Sequence, residues 1–265
     1  MYKERTVWVR GAGELASGVG TTLHRVGLRV IHTELPEPLA IRRTVCFSDA
    51  VFEGKVAVEE VEGCLTNPES VDSVLAEGKV AVLIDDPEVM RTLNVDVLVD
   101  ARMTKRSDVM LLGAAPFTVG LGPGFVAGKN CDVAIETMRG HNLGRVIWSG
   151  GTKVDTGVPG NVGGQTARRV MYAQADGAVD WHVDFGDIVS AGQSLGKVGG
   201  VEVLSTLDGM VRGLISPRIT VKAGTKIADV DPRGESAEYR TISEKASSIG
   251  RGVLEAILVR GRSDG

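Results

Sequence analysis

The 265-residue sequence predicts an α/β protein: an N-terminal, mostly parallel sheet, then a small all-β part and a C-terminal helix. Three observations predict it. Strand and helix signals alternate over the first two-thirds of the chain. A glycine-rich run begins at Gly150 and is poor in apolar residues. Beyond it, residues 176–198 align without a gap on residues 208–230, an offset of 32.

The elements follow in order. Thr6–Arg10 reads as a buried strand. Leu15, Ala16, Val19, Leu23 and Val26 then recur at helical spacing, and Gly27 is placed to end that helix. Leu28–Thr33 is the second strand. The segment from Pro36 to Thr66 mixes a basic stretch, a short helix and a strand signal, and has no single reading. Asn67-Pro68 reads as a helix N-cap with proline at the first position, and Val71, Val74 and Leu75 give that helix an apolar face. Lys79–Ile84 is an apolar strand, Asp86-Pro87 opens a short helix, and Val95–Val99 is another buried strand. Phe117–Leu121, Asp132–Ile135 and Arg145–Trp148 are three further strands. The closing helix, Ala246–Val259, carries Ile249, Val253, Leu254, Ile257 and Leu258 on one face and is expected to pack on the body.

This gives four expected segments: a nucleotide- or cofactor-binding domain over 1–150, a glycine-rich linker over 151–168, a β domain over 169–234, and a helical segment over 235–265. Composition sets limits on function. A net charge of −4 argues against a nucleic-acid or anionic-membrane partner. No apolar run approaches the ~18 residues a membrane span needs, and the charged start Met1–Arg5 is no signal segment, so a cytoplasmic protein is expected. Cys46, Cys64 and Cys131 are odd in number and form no CxxC, so buried free thiols are expected rather than disulfides or a zinc site. The 35 glycines are nearly twice the usual share of about 7%, which implies tight turns and close backbone approaches.

The strongest local motif is Gly11-Ala12-Gly13-Glu14-Leu15-Ala16, a G-x-G-x-x-A directly after a strand and opening a helix. In a Rossmann-like unit, Gly11 permits the turn, Gly13 admits a phosphate, and Ala16 lets the helix lie close to the strand. Glu34, at the end of the second strand, stands where an acid accepts from a ribose hydroxyl, which favours NAD over NADP. The alternative is a βαβ unit that keeps these glycines for packing alone. Gly18 and Gly20 inside the helix imply that something packs closely there.

If the strands are parallel, further polar clusters share the same carboxyl edge: Asp85-Asp86, Asp100, Arg102, Lys105 and Arg106, then Gly122 and Gly124, then Glu136, Arg139 and Asn142. With Arg42 and Arg43, the basic residues would form a cationic pocket for a phosphate-bearing ligand. No metal-ligand spacing is present. Among the four histidines His141 is the one candidate acid or base, with a simple hydrogen-bonding role as its alternative.

The repeat, with Asp176-Gly177-x-Val179 matching Asp208-Gly209-x-Val211, resembles the biotinyl and lipoyl carriers, so a barrel-sandwich hybrid of two 32-residue repeats is expected. The connection Gly199–Thr206 has no lysine, so this copy cannot be acylated there.

Across nearly the whole chain the sequence resembles the YqeB-like accessory proteins of the selenium-dependent molybdenum hydroxylase system. The resemblance rests on Val9–Gly18, Thr33–Pro36, Ile41–Val45, Asp100–Arg106, Gly120–Phe125, Glu136–Arg145, Thr156–Gly160, Asp231–Gly234 and Gly252–Ile257. The Rossmann part of that family is similar to XdhC-like molybdenum cofactor maturation factors. The resemblance implies binding of a molybdopterin-type cofactor or its dinucleotide, for modification or delivery. It also implies a molybdenum hydroxylase or its maturation proteins as partners. A homo-oligomer is left open, as is a sulfur-transfer role for the cysteines. An NAD-dependent oxidoreductase and a non-catalytic docking scaffold are the competing readings.

Overall fold

The structure is a computed structural model that describes residues 5–105, 108–157, 160 and 162–263. It divides into two compact units. The first comprises Met1–Pro36, Val45–Thr156 and Ile242–Gly265; the second comprises Glu37–Thr44 and Gly157–Thr241.

The first unit is built on a mixed sheet. Its strands are β1 (Thr6–Arg10), β2 (Arg29–Glu34), β3 (Lys55–Val58), β4 (Val61–Leu65), β5 (Val80–Ile84), β6 (Val97–Asp100), β7 (Phe117–Leu121), and, past the two-residue β8 (Val126–Ala127), β9 (Val133–Ile135) and β10 (Val146–Ile147). The order across the sheet is β10-β9-β7-β6-β1-β2-β5-β4-β3. The seven strands from β9 to β4 run parallel, and antiparallel β10 and β3 flank them. The parallel strands are nearly continuous apolar runs because both faces of the sheet are covered.

Side chains alternate between the two faces. Val7, Val9, Val30, Val82, Val97 and Val99 face one core, with α1 (Glu14–Arg25) and the long C-terminal helix laid over them. Trp8, Ile31, Ala81, Leu83 and Leu98 face a second core, shared with α3 (Val71–Ala76). Between them in sequence lies the single turn α2 (Ala50–Glu53), and α4 (Pro87–Thr92) follows β5. Asp86 caps α4 by accepting from the Glu88 amide at 2.7 Å, with Pro87 in the first turn.

The C-terminal helix, α5 (Glu244–Ser263), lies against α1 through small residues. A Cβ on Gly18 would come within 2.7 Å of Ala246 Cβ, so glycine is required at the crossing. Gly20 answers to a different neighbour: a Cβ there would overlap Nε2 of buried His32. Both glycines cost helix propensity and are kept for these approaches.

The second unit adds β12 (Val170–Tyr172), β13 (Gly177–Trp181), β14 (Ile188–Val189), β15 (Ser194–Val198), β16 (Val201–Leu204), β17 (Gly209–Leu214), β18 (Thr220–Val221) and β19 (Lys226–Asp231); β11 (Gly150–Gly151) pairs with β8 in the first unit. Two antiparallel sheets result, β12-β19-β17-β14 and β16-β15-β13-β18. Each copy of the repeat gives its short middle strand to the other copy's sheet. Asp229 is buried between Arg169 and Arg212, and Arg212 also reaches Asp231 at 2.9 Å, so the charges are taken up within the unit.

Several expectations are corrected. The chain is not a Rossmann-like domain over 1–150 followed by a barrel-sandwich hybrid. The sheet is nine-stranded and mixed, and residues 37–44 leave the first unit, while the closing helix does pack on the body, in that unit's core. The Ile41 carbonyl accepts from the Leu214 amide at 2.8 Å, and the Thr44 hydroxyl donates to the Tyr239 carbonyl. The expected linker is ordered at its start: Thr152 Oγ1 donates to the Gly122 carbonyl at 2.6 Å, and the Lys153 amide donates to Glu136 Oε2 at 2.9 Å. Helix α3 begins later than Asn67 because Asn67 Oδ1 accepts from the Ser70 amide and closes a turn first.

Candidate functional site at the carboxyl edge of the parallel strands

Strand register brings Arg10, Glu34, Asp85 and Asp100 to one edge of the sheet. Arg10 lies opposite Asp100 on β6 and opposite Thr33 on β2, and the Asp85 amide donates to the Glu34 carbonyl at 2.7 Å. Alternation puts Arg10, Asp85 and Asp100 on the Trp8 face, and Glu34 on the α1 face. The Arg10 guanidinium lies 5.6 Å from the centre of the Trp8 ring.

The glycine turn is held from both sides of its backbone. The Gly11 amide donates to the Thr33 carbonyl at 2.7 Å, and the Gly11 carbonyl lies 2.7 Å from His32 Nδ1. A carbonyl only accepts, so neutral His32 carries its proton on Nδ1. Nε2 is then an unprotonated, buried nitrogen with no hydrogen-bond partner among the described residues. Burial pushes the pKa of His32 down to about 4, against the weaker opposing effect of the Gly11 carbonyl.

Glu34 does not extend towards a ribose. Oε2 accepts from the Ala12 amide at 2.8 Å, and Oε1 accepts from the Leu35 amide at 2.8 Å. The carboxylate therefore takes up an N–H of the turn in which a phosphate was expected. Burial raises the pKa of Glu34, its two amide donors oppose the rise, and nearby Asp85 adds to it. An anionic ligand at the turn would meet this carboxylate at close quarters.

The basic residues are also engaged. Arg102 donates to buried Asp100 through its amide at 3.1 Å and through Nε at 3.2 Å. Lys105 pairs with Asp155 at 3.0 Å, and Arg139 lies 3.6 Å from Glu244. Arg42 and Arg43 belong to the second unit, where Arg42 is buried and Arg43 lies over the Phe185 ring at 5.6 Å. Arg106 lies outside the described residues. The expected cationic pocket is therefore not what the first unit gathers at this edge.

The remaining predicted residues are spread over a helix cap, the core and two turns. Gly13 is the N-cap of α1, and a Cβ there would meet nothing within 4 Å; Ala16 is in the core. Gly122 and Gly124 adopt φ of +75° and +99° in the turn after β7. Glu136 is buried and accepts from the Met138 and Lys153 amides. The Asn142 carbonyl accepts from the Arg145 amide at 3.0 Å, and His141 is exposed in the same turn.

Two further groups stand out: Arg10, which no expectation names, and Asp85, one of the polar residues expected at this edge. Arg10 Nε and Asp85 Oδ1 are buried and have no hydrogen-bond partner among the described residues. Burial, followed by the neighbouring Arg102 charge, lowers the Arg10 pKa, while Asp100 and Asp85 oppose that. The sequence signal for Arg10 is a charged residue closing an apolar strand, and that for Asp85 is the acidic pair Asp85-Asp86 following one. Among the described residues no group of three or more His, Cys, Asp or Glu could hold a metal ion. No helix among them is long and apolar enough to cross a membrane.

No family model matches the chain. A relative called uncharacterized protein YqeB, from Escherichia coli (strain K12), is 44% identical over 255 residues, covering 96% of this chain and 47% of the relative. The chain thus spans about half the length of this relative, whose name agrees with the resemblance read from the sequence and carries no statement about selenium or molybdenum. Among solved structures, the product-bound ectoine utilization protein EutE (DoeB) from Ruegeria pomeroyi is 14% identical, with 86% of this chain and 85% of that chain covered at a TM-score of 0.27. A succinylglutamate desuccinylase/aspartoacylase from Rhodobacter sphaeroides is likewise 14% identical, with 86% and 85% covered at a TM-score of 0.26. The Ala12 amide, expected to face a phosphate, is taken by Glu34, which corrects the expected dinucleotide site; the maturation-factor, oxidoreductase and scaffold readings are withdrawn.

Proposed function

We propose that the chain binds a small, uncharged or zwitterionic polar molecule at the carboxyl edge of its parallel strands. The molecule presents a hydrogen-bond donor beside an acceptor. The observation that carries this reading is the pair of buried orphans, Arg10 Nε as donor and Asp85 Oδ1 as acceptor. A buried polar atom left without a partner costs on the order of 1–3 kcal/mol, and more when charged. A ligand that accepts from Arg10 and donates to Asp85 relieves both costs at once. An amide, an amino-oxo heterocycle or a small zwitterion has that chemistry. Open α/β sheets bind ligands at this edge in general.

Cytosine is a suitable probe, because its exocyclic amine lies beside a ring acceptor. N4,N4-dimethylcytosine lacks the donor. By isothermal titration calorimetry, cytosine should bind saturably, the dimethyl analogue should bind at least tenfold more weakly, and Asp85→Asn should narrow that difference. Equal affinities for the two bases, or no saturable binding of cytosine or of glycinamide, would contradict the proposal.

A further inference from the structure

The opposite, amino edge of the same sheet has a cavity of different character. A cleft of about 840 Å³ is lined by α3, α4, the first residues of β1 and β2, and the approach to β6. Its volume lies within the range of small-molecule sites, roughly 300–1,000 Å³. The walls divide by chemistry. Ile31, Val71, Leu75 and Val95 are all buried side chains that give it an apolar lining. Glu69, Asp72, Glu88 and Asp96 supply four carboxylates against the single cation of Arg29.

That cation is paired with Asp72, and Glu88 is paired with Arg91 at 2.9 Å, so the net negative charge of the lining comes from Glu69 and Asp96. Asp96 is fixed in place, its Oδ2 accepting from the Thr6 amide at 2.7 Å. The cleft therefore combines apolar surface, which favours any apolar body, with an acidic lining that selects the sign of the charge such a body carries. A low-dielectric wall beside charges of one sign strengthens their field on a ligand.

We infer that this cleft is a binding site for an amphipathic cation, an apolar body of aryl or alkyl type ending in an ammonium or amidinium group. The apolar body lies against Ile31, Val71, Leu75 and Val95, and the cationic end meets the acidic residues. This site is separate from the carboxyl edge and stands on its own observations.

The test uses 4-phenylbutylammonium, the neutral 4-phenylbutan-1-ol and the anionic 4-phenylbutyrate with the full chain at low ionic strength. The ammonium should bind about tenfold more tightly than the alcohol, and the carboxylate should bind least. Raising the salt should narrow the gap, because exposed charges are screened within about 10 Å at 0.1 M. Glu69 and Glu88 are both exposed, so the double variant Glu69→Gln, Glu88→Gln keeps the fold and should reduce the ammonium-over-alcohol preference about fivefold. Amide NMR shifts on titration should fall at Val71, Leu75 and Val95. Equal binding of cation and alcohol would overturn the assignment, as would an unchanged preference in the double variant, no saturable binding, or shifts centred on Arg10 and Asp85.

Discussion

His32 makes the stability of the first unit depend on pH in one narrow window. In the folded protein its pKa is about 4, against an ordinary value of 6.5. Above pH 6.5 neither folded nor unfolded chain protonates it, and it contributes no pH dependence. Between 6.5 and 4 the unfolded chain takes up a proton that the folded chain refuses, so stability falls as pH falls. Below 4 both states are protonated and the effect levels off. A pKa lowered from 6.5 to about 4 corresponds to about 3 kcal/mol lost across the window, at about 1.36 kcal/mol per pH unit. Urea denaturation at a series of pH values should show this loss in the wild type. In His32→Gln, which retains a donor for the Gly11 carbonyl, the His32 share of the slope should vanish. Glu34 titrates in the opposite sense: its raised pKa makes the folded chain the better proton acceptor, so it cannot mimic the His32 loss. Parallel stability curves for the two proteins between pH 6.5 and 4 would refute the assignment of His32 as a neutral buried group.

Three further outcomes follow from the same geometry. Gly20→Ala should destabilise by about 1–3 kcal/mol despite a helix-propensity gain of about 1 kcal/mol, because the new Cβ overlaps His32, whose ring is held by Gly11 and packs on Phe47; thermal denaturation measures the sign. Glu34→Ala should cost about 1–3 kcal/mol by leaving the Ala12 amide without an acceptor, whereas Glu34→Gln should cost less, and denaturant midpoints separate the two. Native alkylation with iodoacetamide at pH 8 should spare Cys131, which is fully buried with burial pushing its pKa up to about 11, and should reach half-buried Cys64 first; mass spectrometry of the labelled chain reads the order.

Local elements were legible where pattern and breaker agreed. Thr6–Arg10, Phe117–Leu121 and the helix opened by Asp86-Pro87 are uniform runs bounded by glycine, aspartate or proline, and their periodicity suffices. Gly18 and Gly20 signalled close packing, but their partners, Ala246 and His32, are contacts across the fold that no local pattern encodes. The hairpin of β3 and β4 leaves only one strand signal between Pro36 and Thr66, because Lys55–Val58 is half exposed and Glu59, at φ 54°, makes its turn without glycine. The site was misread for an electrostatic reason. Glycine spacing and an acid at the end of β2 fit a ribose contact as well as a carboxylate folded back on the Ala12 amide, and only the backbone path distinguishes them. Arg42 and Arg43 joined the expected pocket on charge alone, while the chain carries them into the second unit.

The most direct measurement is native mass spectrometry of the freshly purified chain beside Asp85→Asn and Arg10→Met. The account predicts that the wild type carries a small polar molecule in stoichiometric amount, or takes up cytosine when it is added. It also predicts that both variants lose that mass while keeping the wild-type charge-state distribution. A bare wild-type mass that stays bare with cytosine, or a bound molecule retained by both variants, would contradict the assignment of Arg10 and Asp85 as the ligand's partners.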